Sequence, residues 1–150
     1  MRRITEEIGE GADLPRVYHW THAEKTFLNK AIANQKEQNR ESSERWPQIN
    51  WSDFCEVARR TPIVVKGAFG FGLKAIAKNL KKHGLTQTEW GDGPADGLGA
   101  MVGAWYCDKQ VEGTDKSMMS VNYMKEIEEY NKVDCKVMWE LINYLRKHHS

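Results

Sequence analysis

From Asp115 to Lys147 the chain reads DKSMMSVNYMKEIEEYNKVDCKVMWELINYLRK, and the spacing of its apolar residues decides how the molecule is built. Tyr123, Ile127, Tyr130, Asp134, Val137, Leu141 and Tyr144 step by 4, 3, 4, 3, 4 and 3 residues, so a helix lines them along one face. Six of the seven are apolar or aromatic, and the seventh is a carboxylate. An ionised Asp inside an apolar stripe is costly unless a partner or a metal compensates it. Asp134 is therefore either a functional carboxylate or a residue at the stripe's edge, paired with a Lys or reaching solvent. Tyr130 lies one turn earlier, so its hydroxyl and the Asp134 carboxylate can address the same volume.

Working back from this helix, Ala100 to Asp108 reads as a buried helix that follows a glycine-rich loop from Trp90 to Gly99. Leu73, Ile76, Ala77 and Leu80 form the core stripe of another helix, which stops at Gly84. Its other side carries Lys74, Lys78, Lys81 and Lys82. With Lys66 they make a local basic cluster, either a solvated helix face or a surface that touches a nucleic-acid backbone. Gly67 to Gly72 holds three glycines in six residues and lacks the Gly-Lys-Ser/Thr ending of a phosphate loop, so it reads as a tight turn.

Further upstream, Arg16 to Trp20 is a short strand running into a helix from Thr21 to about Gln38, with Ala23, Phe27, Leu28, Ala31 and Ile32 at helical spacing. Asn39 to Asn50 reads as an exposed connection. Ser52 can cap a short helix through Arg60, and Ile63 to Val65 is a second brief strand candidate. The expected class is a helix-rich α/β chain with few strands. Glu24 begins a helix just after a strand, close to a strand's carboxyl end, where α/β folds build sites. Thr21-His22-Ala23-Glu24 also fits a capping box, in which Glu24 would return to the Thr21 N–H.

Composition narrows the classes. Twenty-two Lys and Arg against 21 Asp and Glu leave a charge of +1 on 150 residues that are 40% apolar, as expected of one globular domain over 1–150. Bulk positive charge is absent, so any nucleic-acid binding must come from a local arrangement. The longest uncharged apolar stretch, Gly97 to Cys107, has 11 residues, short of the roughly 20 a spanning helix needs. Met1 to Glu10 is too charged for a signal peptide. Cys55, Cys107 and Cys135 are odd in number and widely spaced, which reads as reduced thiols filling space in a cytoplasmic protein. His19 and His22 have no third ligand nearby in a zinc-binding pattern.

Tyr130-Asn131-Lys132-Val133-Asp134, at the start of Cys135-Lys136-Val137-Met138-Trp139-Glu140, resembles the Tyr-x-x-x-Asp motif of the DEDD-type 3'-5' exonucleases, which have the ribonuclease H-like fold. Val17-Tyr18-His19-Trp20-Thr21-His22-Ala23-Glu24 is similar to their second motif, a strand followed by Asn-x-x-x-Phe-Asp; RecB-like and family B polymerase-like branches accept Glu at that acid. Leu73 to Ala77 and Asp96 to Met101 look like the segments between, and the similarity runs from about Arg16 to Arg146. The resemblance implies a metal-dependent exonuclease that hydrolyses DNA or RNA with two Mg2+ or Mn2+ ions. It makes Glu24 and Asp134 metal ligands and has Tyr130 orient the attacking water. In such an enzyme the basic cluster of Lys66, Lys74, Lys78, Lys81 and Lys82 is expected to contact the nucleic-acid backbone.

Two departures stand out. His19 takes the place of the family's Asn, and no Asp-x-Glu occurs in the 15 residues before Arg16, where the family's first strand would carry it. The expectation is thus a partial ribonuclease H-like fold without its N-terminal strands. They would come from a second polypeptide or a longer chain, unless catalysis has been lost. The alternative is a non-catalytic subunit that binds nucleic acid or a protein partner through the helical half of the fold, and a blander one is a helical interaction protein with no nucleic acid.

Overall fold

A computed structural model describes residues 14–37, 46, 48–61, 63–91, 93–94 and 96–149. Their order is β1 (Arg16–His19), α1 (Ala23–Glu37), β2 (Asn50–Asp53), α2 (Phe54–Arg60), α3 (Leu73–Lys82), α4 (Gly97–Val111), a 3-10 turn (Met118–Ser120) and α5 (Asn122–His148). They fall into two compact units, the first ending at Val64 but including Phe71–Leu73, the second made of Val65–Gly70 and the chain from Lys74 onward. Among the described residues no helix is long and apolar enough to cross a membrane.

In the first unit β1 and β2 pair in parallel, with Arg16 opposite Asn50 and His19 opposite Asp53. A parallel pair needs a crossover, and α1 supplies its helix. The strand at Asn50–Asp53 corrects two expectations: Asn50 belongs to a strand rather than a loop, and Ile63–Val65, the expected second strand, is irregular. The segment NWSD has no apolar run, so its strand form depends on pairing with β1. The connection expected at Asn39 to Asn50 otherwise lies largely outside the described residues. Tyr18 meets Phe54 edge to face at 5.9 Å between centroids, and His19 meets Trp51 at 5.3 Å. Trp20 Nε1 donates to the Phe71 carbonyl at 2.9 Å, and the Cys55 thiol donates to the same oxygen at 3.6 Å. These contacts bury Trp20, Phe54, Cys55 and Ala58. The stripe predicted on α1 buries nothing completely, and Leu28 and Ile32 are half-buried at most. Two strands of four residues run about 13 Å, too short to cover a helix of about 22 Å.

The second unit follows its sequence signals closely. Ile76, Ala77 and Leu80 are buried on α3. The helix ends as a Schellman motif, with Leu85 N–H donating to Leu80 O at 3.0 Å, Gly84 N–H to Lys81 O at 2.8 Å, and Gly84 at φ +71°. Before α3, Gly67 has φ +90°, and a Cβ there would stand 2.6 Å from Asn79 Oδ1, so this turn requires glycine. α4 is longer than Ala100–Asp108 because Asp96 caps it, accepting from Gly99 N–H at 2.8 Å. Its small residues Ala100 and Gly103 let α5 approach, and the Tyr123 ring occupies the space a Gly103 Cβ would need. Ala100, Ile127 and Tyr130 form a core cluster with Trp90, Ala104, Tyr123 and Met124 packed against it. α5 begins at Asn122, after the 3-10 turn, and every residue of its predicted stripe is buried or half-buried. All three cysteines are free; Cys55 and Cys107 are buried as expected, and Cys135 is exposed.

Candidate metal centre and basic face

Glu24 and Asp134 belong to different units. Glu24 sits in the first turn of α1. The capping box does not form, because the Thr21 N–H donates instead to Asp53 Oδ1 at 3.1 Å. α1 starts at Ala23, so Thr21 is one residue too early to be its cap. Relieved of that role, the Glu24 side chain is 52% exposed, with Oε2 3.9 Å from His19 Nδ1. His19 is buried, and its Nδ1–H donates to the Thr21 carbonyl. Thr21 itself has φ +68°, the one described non-glycine residue in the left-handed region. An open pocket of about 370 Å³ is lined by Thr21, His22, Asp53, Cys55, Glu56 and Arg59. Burial pushes the Cys55 thiol up from its ordinary value, as does Asp53, while Arg59 opposes the rise. The thiol is accordingly a weak nucleophile.

In the second unit Asp134 Oδ1 accepts a hydrogen bond from the Trp90 indole N–H at 2.7 Å. That donor offsets part of the cost of a carboxylate in an apolar stripe. Lys74 Nζ lies 4.8 Å from the centre of the Tyr130 ring and 5.5 Å from that of Trp90. Tyr130 is 9% exposed and shares the core with Ile127. Tyr130, Asp134 and Lys74 are thus gathered around Trp90, a residue to which the sequence assigns no role beyond opening a loop. Only its closeness in space to Asp134, across 44 residues of chain, makes it a partner.

The five lysines divide by environment. Lys66, Lys78 and Lys82 are exposed, Lys74 is held over the two rings, and Lys81 pairs with Glu89. An open pocket of about 470 Å³ brings Lys81 together with Lys132 and Lys136 of α5, beside Thr88. Nothing in the sequence marks those last two lysines as neighbours of α3. Nor does it mark Glu140, whose carboxylate accepts from the N–H groups of Gln87 at 2.9 Å and Thr88 at 3.0 Å and from the Thr88 hydroxyl at 2.5 Å.

Glu24 and Asp134 have the hard oxygen donors that Mg2+ and Mn2+ select, and the exposure of Glu24 suits a ligand. Among the described residues no group of three or more His, Cys, Asp or Glu gathers in a way that could hold a metal ion. Each acid could therefore contribute to a metal centre, but neither completes one within its own unit among the described residues. Comparison of the chain with models of known families, with characterised proteins and with solved structures gives no match.

Proposed function

We propose that the chain carries the second and third acidic motifs of a metal-dependent 3'-5' exonuclease with a ribonuclease H-like fold. Glu24 and Asp134 would ligate Mg2+ or Mn2+, and Tyr130 would orient the attacking water. The observation that carries this reading is the release of Glu24 from capping. A half-exposed carboxylate stands just past the carboxyl end of a strand in a parallel β-α-β unit, its capping donor taken by Asp53. When bound, the ions would lower the pKa of a water and neutralise charge on the phosphodiester. Each acid has a neighbour within its own unit that supports this reading: His19 borders Glu24, and the Trp90 N–H donates to one oxygen of Asp134. The family's first acidic pair, Asp-x-Glu, does not occur in the 15 residues before Arg16, and this reading assigns no residue to it.

The test is a Mn2+ titration of the isotope-labelled chain together with cleavage of single-stranded DNA. Mn2+ should broaden the Glu24 and Asp134 resonances, and Glu24→Gln and Asp134→Asn should each weaken the effect by about 10- to 100-fold. Any cleavage should fall in parallel. Absence of broadening at both residues in millimolar Mn2+, or cleavage undiminished in both variants, would overturn the assignment.

A second reading draws on the Trp90 contact. If that bond makes Asp134 a structural acceptor, the chain is a non-catalytic nucleic-acid-binding or partner-binding module, with Lys78 and Lys82 exposed on α3. Retention of single-stranded DNA at low salt with no response to Mn2+ would favour it.

A further inference from the structure

We infer that Asp53 is a positioning residue for Glu24, an inference that rests on reading Glu24 as a cation ligand. Asp53 closes β2 directly opposite His19, the last residue of β1, so its carboxylate stands level with the point where the chain leaves β1. Its Oδ1 accepts three backbone N–H groups: Cys55 at 2.9 Å, Glu56 at 3.2 Å and Thr21 at 3.1 Å. The first two are an ordinary N-cap of α2. The third crosses 32 residues of sequence to the turn between β1 and α1 and has no part in capping.

That turn needs holding. A β-branched residue at φ +68° is an outlier that persists only where its surroundings over-determine it. Thr21 is fixed at both of its backbone polar groups, its N–H by Asp53 and its carbonyl by the His19 ring. α1 begins two residues later, so the path through Thr21 sets the direction in which Glu24 leaves the strand. Without the Asp53 oxygen, Thr21 relaxes to negative φ, and Glu24 swings away from His19. The sequence pattern puts the cap of α2 at Ser52, but Ser52 lies within β2 and Asp53 makes both capping bonds, so the link from the cap to Thr21 is not legible in the spacing.

Asp53→Ser separates the cap of α2 from that link experimentally. A serine still caps α2, but its shorter side chain does not reach the Thr21 N–H. In the labelled full chain, backbone coupling constants should show Thr21 leaving the left-handed region, and Mn2+ broadening at Glu24 should require about tenfold more metal. Asp53→Asn, which keeps an acceptor oxygen, should restore both. Thr21→Gly in the Asp53→Ser background should recover the metal response, because glycine adopts positive φ freely. A left-handed Thr21 in Asp53→Ser overturns the inference whatever the metal does, as does Mn2+ broadening at Glu24 equal to that of the wild type. A wild-type chain whose Glu24 ignores Mn2+ refutes the cation reading instead, and the coupling constants then still decide whether Asp53 holds the turn.

Discussion

Glu140 anchors the loop ahead of α4 onto α5. Burial alone would raise its pKa. The Thr88 hydroxyl, the N–H groups of Thr88 and Gln87, and nearby Lys136 outweigh that and hold the carboxyl below its ordinary value of 4.5. A carboxylate with a lowered folded pKa binds protons less readily than the unfolded chain does, so its contribution is complete above about pH 4.5 and fades as the pH falls through the lowered value. Glu140→Ala should cost about 2 kcal/mol in urea unfolding at pH 7, since it leaves two N–H groups and a hydroxyl without this acceptor. The gap between variant and wild type should narrow as the pH falls below 4.5 and through the lowered folded value. A gap that does not change with pH would mean that the side chain acts by packing alone.

Among the elements, α4 approaches α5 at Gly103, which joins Ala100 in leaving room for the facing helix. A Cβ at Gly103 would overlap Cε1 of the Tyr123 ring, so any larger residue forces the ring or the helix aside. Ala would recover about 1 kcal/mol of helix propensity against that clash. Val adds two methyl groups without that gain. Gly103→Val is expected to destabilise by about 2 kcal/mol or more, measured by thermal unfolding, and Tyr123→Ala in the same chain should relieve part of the loss. If Gly103→Val is neutral, the two helices are not packed through this pair.

For the whole molecule, a charge of +1 gives no long-range pull on a polyanion, so any nucleic-acid affinity must come from lysines held on one face. The exposed pair on α3 is Lys78 and Lys82. Reversing both to Glu should weaken retention of single-stranded DNA and flatten its salt dependence. For every phosphate that a lysine no longer neutralises, the slope of log K against log salt becomes shallower by about 0.7. An unchanged slope would remove this face from the binding surface and favour a helical interaction protein. The same experiment on Lys132→Glu with Lys136→Glu asks whether the pocket they share with Lys81 belongs to that face.

Helices whose signals lie within a few turns of chain can be read from the residues alone. Ile76, Ala77 and Leu80 are buried and the helix stops at Gly84 because periodicity and the left-handed cap act over neighbouring residues. The stripe of α5, with Asp134 inside it, is readable for the same reason. β2 emerges only in the folded chain, because NWSD has no apolar run and becomes a strand through pairing with residues 34 positions earlier. The tertiary structure also decided what surrounds the two candidate acids. The donor on Asp134 arrives from Trp90 across 44 residues, and the oxygen that frees Glu24 from its cap arrives from Asp53, which reaches Thr21 across 32. Local pattern fixes where a carboxylate lies along a helix, but its partners are chosen by the path of distant chain, which spacing does not encode.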